Sequence, residues 1–325
     1  MTKSPSFETL SPDVIVASIE NHLGIYLDGM ITPYNSYVNR VYGIQDEDGK
    51  RYIVKYYRPG RWSKECILEE HTFIRNCEDN EIPVIPPLEL GNGTTLGEAG
   101  GIYFSVFPFR SGRTFDISGE DDWNRLGTIV GRMHRAGRNE TAFRRPVCSP
   151  LETTAPQIEK LTSGGLIPDG CLEDFIHVCE ATREIIDPLF EGVETIRIHG
   201  DCHRGNILDR IEEGLLLIDF DDMMTGPPVQ DLWLLLPGHL FECPAEMELL
   251  LQGYARFSDF DRETLTLVEP LRFMRLIHFL TWCATQKDDH SFQHHFPDWG
   301  TEAFWIKEIE DLRYQQRMIR EQLSF

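Results

Sequence analysis

The feature of this sequence that most limits its fold is a change of pattern after Gly112. Before this point, apolar and polar residues alternate over three segments, 37–44, 51–57 and 101–108. The first two segments flank an Asp48-Gly49 turn, and alternation around an Asp-Gly turn is typical of a β-hairpin. The first third of the chain is therefore predicted to form an antiparallel β-sheet.

Helical patterns dominate the remainder of the chain. Apolar residues recur at helical spacing over 121–136, 170–190, 228–237, 244–257, 262–284 and 300–322. Two further helices are predicted in the strand-rich part, over 12–27 and 63–77. The sequence thus predicts an α+β fold with two lobes: residues 1–108 form an antiparallel β-sheet lobe with a helix, and residues 109–325 form a mainly helical lobe.

One short stretch in the helical part carries residues suited to chemistry. Its polar skeleton is His199-x-Asp201 followed by Asn206, and a short apolar strand after it ends in Asp219. Phosphoryl transfer needs a carboxylate beside the attacking hydroxyl and oxygen ligands for Mg²⁺ at the phosphates. The spacing is that of a kinase catalytic loop, so we expect Asp201 to act as the base and Asn206 and Asp219 to be the Mg²⁺ ligands.

A candidate nucleotide lysine lies in the strand-rich part. Lys55 occupies the middle of a strong strand pattern, where kinases have the lysine that binds the α- and β-phosphates. A glutamate on a helix normally holds such a lysine, and Glu69 and Glu70 both lie on the next predicted helix. Glu70 shares a helical face with apolar positions 73, 74 and 77, which favours it and leaves Glu69 as the alternative.

Three more positions are candidates for ATP contacts. Ser36 lies in the turn that leads into the first predicted hairpin, where kinases have a glycine-rich loop; because this turn contains no glycine, Ser36 either contacts a phosphate oxygen or is an ordinary polar turn residue. Phe107 and Phe109 belong to the junction between the lobes, where nucleotide pockets commonly lie. Their backbone groups are expected to face the adenine of ATP.

Composition disfavours two classes of partner. Acidic residues number 53 and basic residues 31, for a formal net charge of −22, which disfavours binding to nucleic acid or to an anionic membrane. No apolar run reaches the roughly 20 residues of a membrane helix, and the N-terminus lacks a basic start followed by an apolar run. We therefore expect a cytoplasmic protein, and its acidity is also compatible with a cationic substrate.

The catalytic stretch resembles that of a known superfamily. The residues His199-Gly200-Asp201-x-His203-x-Gly205-Asn206, Ile218-Asp219-Phe220 and Gly226-Pro227-x-x-x-Asp231 are similar to the aminoglycoside phosphotransferase and choline kinase superfamily, whose fold is protein-kinase-like. A closer resemblance, to the bacterial stress response kinase A family, covers nearly the whole chain. It rests on Thr32–Tyr42, Gln45–Asp48, Val54–Trp62, Glu69–His71, Val229–Trp233 and Glu269–Leu276.

The closer resemblance implies a function and a set of roles. It implies a cytoplasmic, ATP- and Mg²⁺-dependent Ser/Thr protein kinase of the envelope-stress response, whose acceptor is a hydroxyl of another protein or of the chain itself. Asp201 becomes the proton acceptor, Asn206 and Asp219 become Mg²⁺ ligands, and Ser36 becomes an ATP-contacting position. Asp219 also counts among the active-site residues, and a monomer is expected.

The motif departs from protein kinases at two positions and leaves two other functions open. Gly200 replaces the usual arginine of the catalytic loop, Asp221 replaces the glycine of D-F-G, and no A-P-E segment follows. One alternative is a small-molecule kinase of the same fold acting on an amino alcohol or aminoglycoside, for which Asp221 and Asp222 would suit a cationic acceptor. The other is a non-enzymatic, nucleotide-sensing scaffold.

Overall fold

The computed structural model describes residues 6–36, 38–210 and 212–324, without the side chains of residues 290 and 291. The chain packs into two compact units. Unit 1 comprises the described residues of Met1–Asp116 with Ala142–Arg145 and Arg204–Asp222; unit 2 comprises Ile117–Thr141, Pro146–His203 and Met223–Phe325. The predicted division between residues 108 and 109 stays a prediction.

Unit 1 contains a five-stranded antiparallel sheet in the order β1-β2-β3-β5-β4. The strands are β1 Leu27–Tyr34, β2 Arg40–Asp46, β3 Arg51–Tyr56, β4 Gly97–Ala99 and β5 Ile102–Pro108. Central strand β3 places Lys55 opposite Val41 of β2 and Ser105 of β5. Its neighbours Val54 and Tyr56 pack into an apolar core. Because side chains alternate along a strand, Lys55 points to the opposite face of the sheet.

Two helices and a second, small sheet complete unit 1. Helix α1 (Pro12–Leu23) is capped by the Ser11 hydroxyl and contributes Ile15 and Ile19 to the core of the sheet. Helix α2 (Lys64–Asp79) follows β3. The small antiparallel sheet has the order β6-β8-β9, with β6 Arg113–Thr114, β8 Ile207–Arg210 and β9 Gly214–Leu217. The α+β class and the antiparallel sheet with helices are thus confirmed.

Unit 2 is mainly helical. Its helices are α3 Glu120–Gly137, α4 Ala155–Ser163, α5 Asp169–Ile186, α6 Val229–Trp233, α7 Pro244–Tyr254, α8 Val268–Gln286, α9 His290–His295 and α10 Glu302–Gln322. A short antiparallel pair, β7 Ile196–Ile198 and β10 Met224–Gly226, accompanies them. The core collects buried apolar residues of α5, α8 and α10, with Phe175 packed edge-on against Trp305.

Short helical turns connect these elements. They are Phe7–Thr9, Pro150–Thr154, Asp187–Phe190, Arg204–Asn206, Phe220–Asp222, Leu240–Glu242 and Arg262–Leu267. All eight cysteines are free thiols. In the part of the chain that the structure describes, no helix is both long and apolar enough to span a membrane.

Several elements differ from the sequence prediction. Strand β1 was not predicted, because it contains Gly29 and Pro33; as the first strand in the sheet order it has a free edge, where proline is tolerated. The helix predicted over 12–27 ends at Leu23, since Gly24 adopts a left-handed φ of 66°. The helix predicted over 228–237 ends at Trp233, and α4 was not predicted. The helix predicted over 262–284 is regular only from Val268.

Candidate active site

In unit 1, Lys55 is enclosed by three carboxylates. Its Nζ lies 3.0 Å from Asp219 Oδ1, 3.2 Å from Asp221 Oδ1 and 3.8 Å from Glu70 Oε1. Burial alone would lower the pKa of Lys55, but Asp219, then Asp221 and Glu70, raise it well above its ordinary value. Lys55 is therefore a permanent positive charge beside Asp219.

The acidic segment after β9 is held by further cations. Arg61 contacts Asp221 through Nη1, and its Nη2 donates to Asp222 Oδ1 at 2.5 Å. Asn39 Nδ2 donates to Asp221 Oδ2 at 3.1 Å. Burial would raise the pKa of Asp221, but Lys55, then Arg61, hold it well below its usual range. Asp221 is therefore paired with Lys55 and Arg61, and Asp222 with Arg61; that this pair suits a cationic acceptor stays a prediction.

The predicted metal ligands lie at one end of the β8–β9 hairpin. Ile207 pairs with Leu217, and the Ile218 N–H donates to the Asn206 carbonyl at 3.0 Å. This register brings Asn206 and Asp219 side by side although thirteen residues (219 − 206) separate them in sequence. Asp219 holds a left-handed φ of 61°, a conformation that aspartate tolerates better than most residues.

Charge and chemistry at this end fit a hard divalent cation. The amide oxygen of Asn206 and the carboxylate of Asp219 are the oxygen donors that Mg²⁺ prefers. The cluster holds four carboxylates, Glu70, Asp219, Asp221 and Asp222, against three cations, Lys55, Arg61 and Arg145. Asp219 is the most exposed of the four, with 54% of its side chain accessible. The most accessible carboxylate of the cluster is therefore the one that was predicted to bind Mg²⁺.

The other predicted ATP contacts all lie in unit 1. Ser36 is in the β1–β2 connection, and its hydroxyl accepts the Asn39 N–H at 3.3 Å. Phe107 pairs with Ile53 in the sheet. The Phe109 N–H donates to the Arg51 carbonyl at 3.1 Å, and the Arg51 guanidinium lies 3.7 Å from its ring centre. The Phe109 N–H is therefore already used in a hydrogen bond to strand β3.

In unit 2, Asp231 anchors the loop that carries Asp201. The fully buried Asp231 accepts the backbone N–H of His199 at 2.8 Å and that of Gly200 at 2.9 Å. His134 Nε2 lies 2.9 Å from the same carboxylate. Gly200 has a φ of 81°, which explains why glycine replaces the arginine of protein kinases at this position. Asp231 thus holds the backbone at the start of the loop that carries Asp201.

Two basic side chains of unit 2 contact Asp201. Arg275 of α8 donates to Oδ1 at 2.8 Å, and His203 Nε2 lies 3.4 Å from Oδ2. Burial would raise the pKa of Asp201, but the hydrogen bond of His203 and the charge of Arg275 hold it well below its usual range. Asp201 is thus an ionised acceptor, as a carboxylate that orients a hydroxyl must be.

Four side chains of these two groups were not singled out from the sequence. Asn39, Arg61 and Arg275 lie within segments that carry the family resemblance, but each partner is more than 70 residues away in sequence. Arg145 lies in an irregular segment without a motif, and no sequence signal indicates it. Chain separations of this size leave no local periodicity from which a pairing could be read.

Comparisons with known proteins find similarity over most of the chain. A model of the phosphotransferase enzyme family matches residues 31–268. Stress response kinase A of Escherichia coli (strain K12) is 39% identical over 320 residues, covering 97% of this chain and 95% of that protein. Serine/threonine protein kinase RdoA of Salmonella typhimurium (strain LT2) is 36% identical over 317 residues, with the same coverage. Among solved structures, amicoumacin kinase hAmiN in complex with AMP-PNP, Ca²⁺ and Ami has a TM-score of 0.74 at 18% identity over 94% of both chains, a likeness of fold.

Proposed function

This chain belongs to the phosphotransferase enzyme family and, within it, to the stress response kinase A family, and on that premise we propose that it is an ATP- and Mg²⁺-dependent serine/threonine protein kinase. The family establishes a phosphotransferase, and the proposal adds the nucleotide, the metal and the acceptor. The observation that carries it is the enclosure of Lys55 by Asp219, Asp221 and Glu70. A fixed cation beside an exposed carboxylate is suited to triphosphate binding.

The nucleotide is bound by unit 1 in this proposal. Lys55 binds the α- and β-phosphates, and Ser36 offers its hydroxyl to a phosphate oxygen. Backbone groups of Phe107 and Phe109 face the adenine. Because the Phe109 N–H donates to the Arg51 carbonyl, the group that Phe109 offers to the adenine is its own carbonyl. Glu70 of α2 adds a carboxylate 3.8 Å from the Lys55 Nζ.

Asn206 and Asp219 hold Mg²⁺ in this proposal. A cation there would neutralise charge on the phosphate oxygens. Asp201 accepts the hydrogen bond of the attacking hydroxyl and takes its proton during transfer. Arg275 and His203 keep that carboxylate ionised and restrict its orientation.

A protein acceptor is favoured over an amino alcohol or aminoglycoside by two observations. Relatives that are 36% and 39% identical over 97% of the chain are named as a serine/threonine protein kinase and a stress response kinase. The acidic pair Asp221 and Asp222, which would suit a cationic acceptor, is neutralised by Arg61 and Lys55. The same family membership leads us to include a cytoplasmic monomer of the envelope-stress response in the proposal.

The test is an acceptor screen. Purified protein is incubated with radiolabelled ATP and Mg²⁺, alone, with casein-type and basic proteins, and with a panel of aminoglycosides and amino alcohols. We expect label on serine or threonine of a protein, identified by mass spectrometry, and none with EDTA. Saturable phosphorylation of one metabolite without protein labelling would refute the protein-kinase proposal.

Variants of the base separate an enzyme from a nucleotide-sensing scaffold. Asp201→Asn and Asp201→Ala are expected to lose about 10²–10⁴-fold in kcat, the usual contribution of general base catalysis. The matched control is Asp311→Asn, an exposed aspartate of α10 in unit 2, which is expected to keep the wild-type rate. Full activity in Asp201→Asn would exclude Asp201 as the base.

A further inference from the structure

A short segment between α3 and α4 packs against α2 of unit 1. Glu69, in the middle of α2, accepts three consecutive backbone N–H groups of this segment. Its Oε1 accepts Phe143 at 2.7 Å, and its Oε2 accepts Arg144 at 2.9 Å and Arg145 at 3.0 Å. Glu69, the alternative partner considered for Lys55, is therefore used to fix the backbone of residues 143–145.

The side chain of Arg145 connects α2 with the acidic segment that follows β9. It is fully buried. Its Nε donates to the Cys66 carbonyl at 2.9 Å, its Nη1 to the Asp221 carbonyl at 2.7 Å and its Nη2 to Glu70 Oε2 at 2.7 Å. The Trp62 ring lies 4.3 Å from the guanidinium carbon. Only the planar fork of arginine can donate in these three directions at once.

Arg145 and Lys55 share Glu70 unequally. The arginine bond to Glu70 is 2.7 Å, whereas the Lys55 Nζ lies 3.8 Å from the other oxygen, beyond hydrogen-bond distance. Lys55 instead lies 3.0 Å from Asp219. The glutamate that the sequence assigns to the lysine is thus bonded first to an arginine.

We propose that Arg145 is a positioning residue: by taking the closer bond to Glu70, it leaves Lys55 directed at Asp219 and Asp221. Without Arg145, buried Glu70 would lose its closest donor, and Lys55, whose Nζ lies 3.8 Å from Glu70 Oε1, is the cation that would turn from Asp219 to replace it. The same guanidinium also bonds the Asp221 carbonyl. One side chain, which belongs neither to the strand of Lys55 nor to the segment of Asp219, therefore positions both. The link to catalysis rests on the proposed function.

Kinetics of a double-mutant cycle test the proposal. Arg145→Met is expected to lower kcat at least tenfold per folded molecule, whereas Arg144→Met, its exposed neighbour, stays within twofold of wild type. Arg145→Met/Glu70→Gln is expected to recover at least threefold over the single variant, because a neutral glutamine does not attract Lys55. A merely structural role predicts no such recovery, and a double variant no better than Arg145→Met would overturn the proposal.

Crystal structures give a readout that needs no phosphoryl acceptor. In Arg145→Met, we expect Lys55 Nζ within hydrogen-bond distance of Glu70 and more than about 4 Å from Asp219; in the double variant, we expect it back on Asp219. If Lys55 stays on Asp219 in Arg145→Met, the proposal is wrong. If the wild-type protein phosphorylates no acceptor, the proposed function is wrong. The crystal structures of the variants still decide the role of Arg145 in that case. The double variant carries no unpaired buried charge, so it remains measurable if Arg145→Met does not fold.

Discussion

Removal of one oxygen from Asp231 should loosen the catalytic loop. Asp231 Oδ1 accepts Gly200, and Oδ2 accepts His199 and faces His134 Nε2. Asn in place of Asp keeps one accepting oxygen. If this oxygen stays with His199 and His134, the N–H₂ group of the asparagine faces the N–H of Gly200. Asp231→Asn therefore loses at least one charge-assisted hydrogen bond and faces a donor with a donor.

The size of the effect follows from the number of bonds. A hydrogen bond to a charged group contributes about 1.5–3 kcal/mol, so Asp231→Asn should destabilise unit 2 by about 2–3 kcal/mol. Asp231→Ala loses all three bonds and should cost about 4.5 kcal/mol or more, taking about 1.5 kcal/mol for each. The exposed pair of Asp311 with Lys307 contributes less than about 1 kcal/mol, so Asp311→Asn is the matched control.

Urea denaturation followed by tryptophan fluorescence measures these differences, because Trp233 is buried two residues after Asp231. Activity is measured at a temperature where each variant is folded. We expect kcat to decrease as the loop that carries Asp201 becomes less ordered. A cost below about 0.5 kcal/mol for Asp231→Asn, together with an unchanged kcat, would refute the reasoning that the buried carboxylate holds the loop.

Three further outcomes are expected. Arg275→Met removes a charge that holds the pKa of Asp201 low, so that pKa rises; since the ionised form is the active one, the acid limb of the pH–kcat profile should move to higher pH. An unmoved limb would contradict this. Gly127→Ala places a Cβ 1.9 Å from a carbonyl oxygen of α7 and should cost about 3 kcal/mol by thermal unfolding, whereas Gly170→Ala, with ordinary contacts, should be neutral or stabilising. Asp219→Asn removes the exposed charge beside Lys55. In EDTA, titration calorimetry should show that this variant binds ATP several-fold more tightly than the wild type, although it loses phosphoryl transfer. Equal or weaker binding would argue against this account of the charge.

The elements that the sequence predicts well are those whose signal is local. Strand β3 and helix α2 have alternation or helical spacing that comes from burying one face, and the structure buries that face. Glu70 is buried on the same face as Phe73, Ile74 and Cys77, the face predicted for it from the sequence. Strand β1 lacked such a signal because most of its side chains are exposed and it interrupts the pattern with glycine and proline.

The partners of these residues were harder to predict than the residues. Sequence spacing favoured Glu70 as the holder of Lys55, but could not indicate that Arg145, 75 residues further on, makes the closer bond. The Arg61–Asp221 pair spans 160 residues. Because the sequence does not reveal this pair, Asp221 and Asp222 were interpreted from the sequence as unpaired acidic residues. Tertiary contacts between irregular segments have no periodicity, so their ion pairs are visible only in three dimensions.

The acidity of the chain and the binding of a polyanion are reconciled at Asp219. A net charge of −22 repels ATP, and the cluster around Lys55 still carries four carboxylates against three cations. Three of those carboxylates are mostly buried and held by arginine or lysine, whereas Asp219 exposes 54% of its side chain. Asp219 is therefore the carboxylate of this cluster that a divalent cation can reach. In the proposed function, the charge of Asp219 repels a phosphate until a cation neutralises it, so the affinity of unit 1 for a nucleotide would depend on metal.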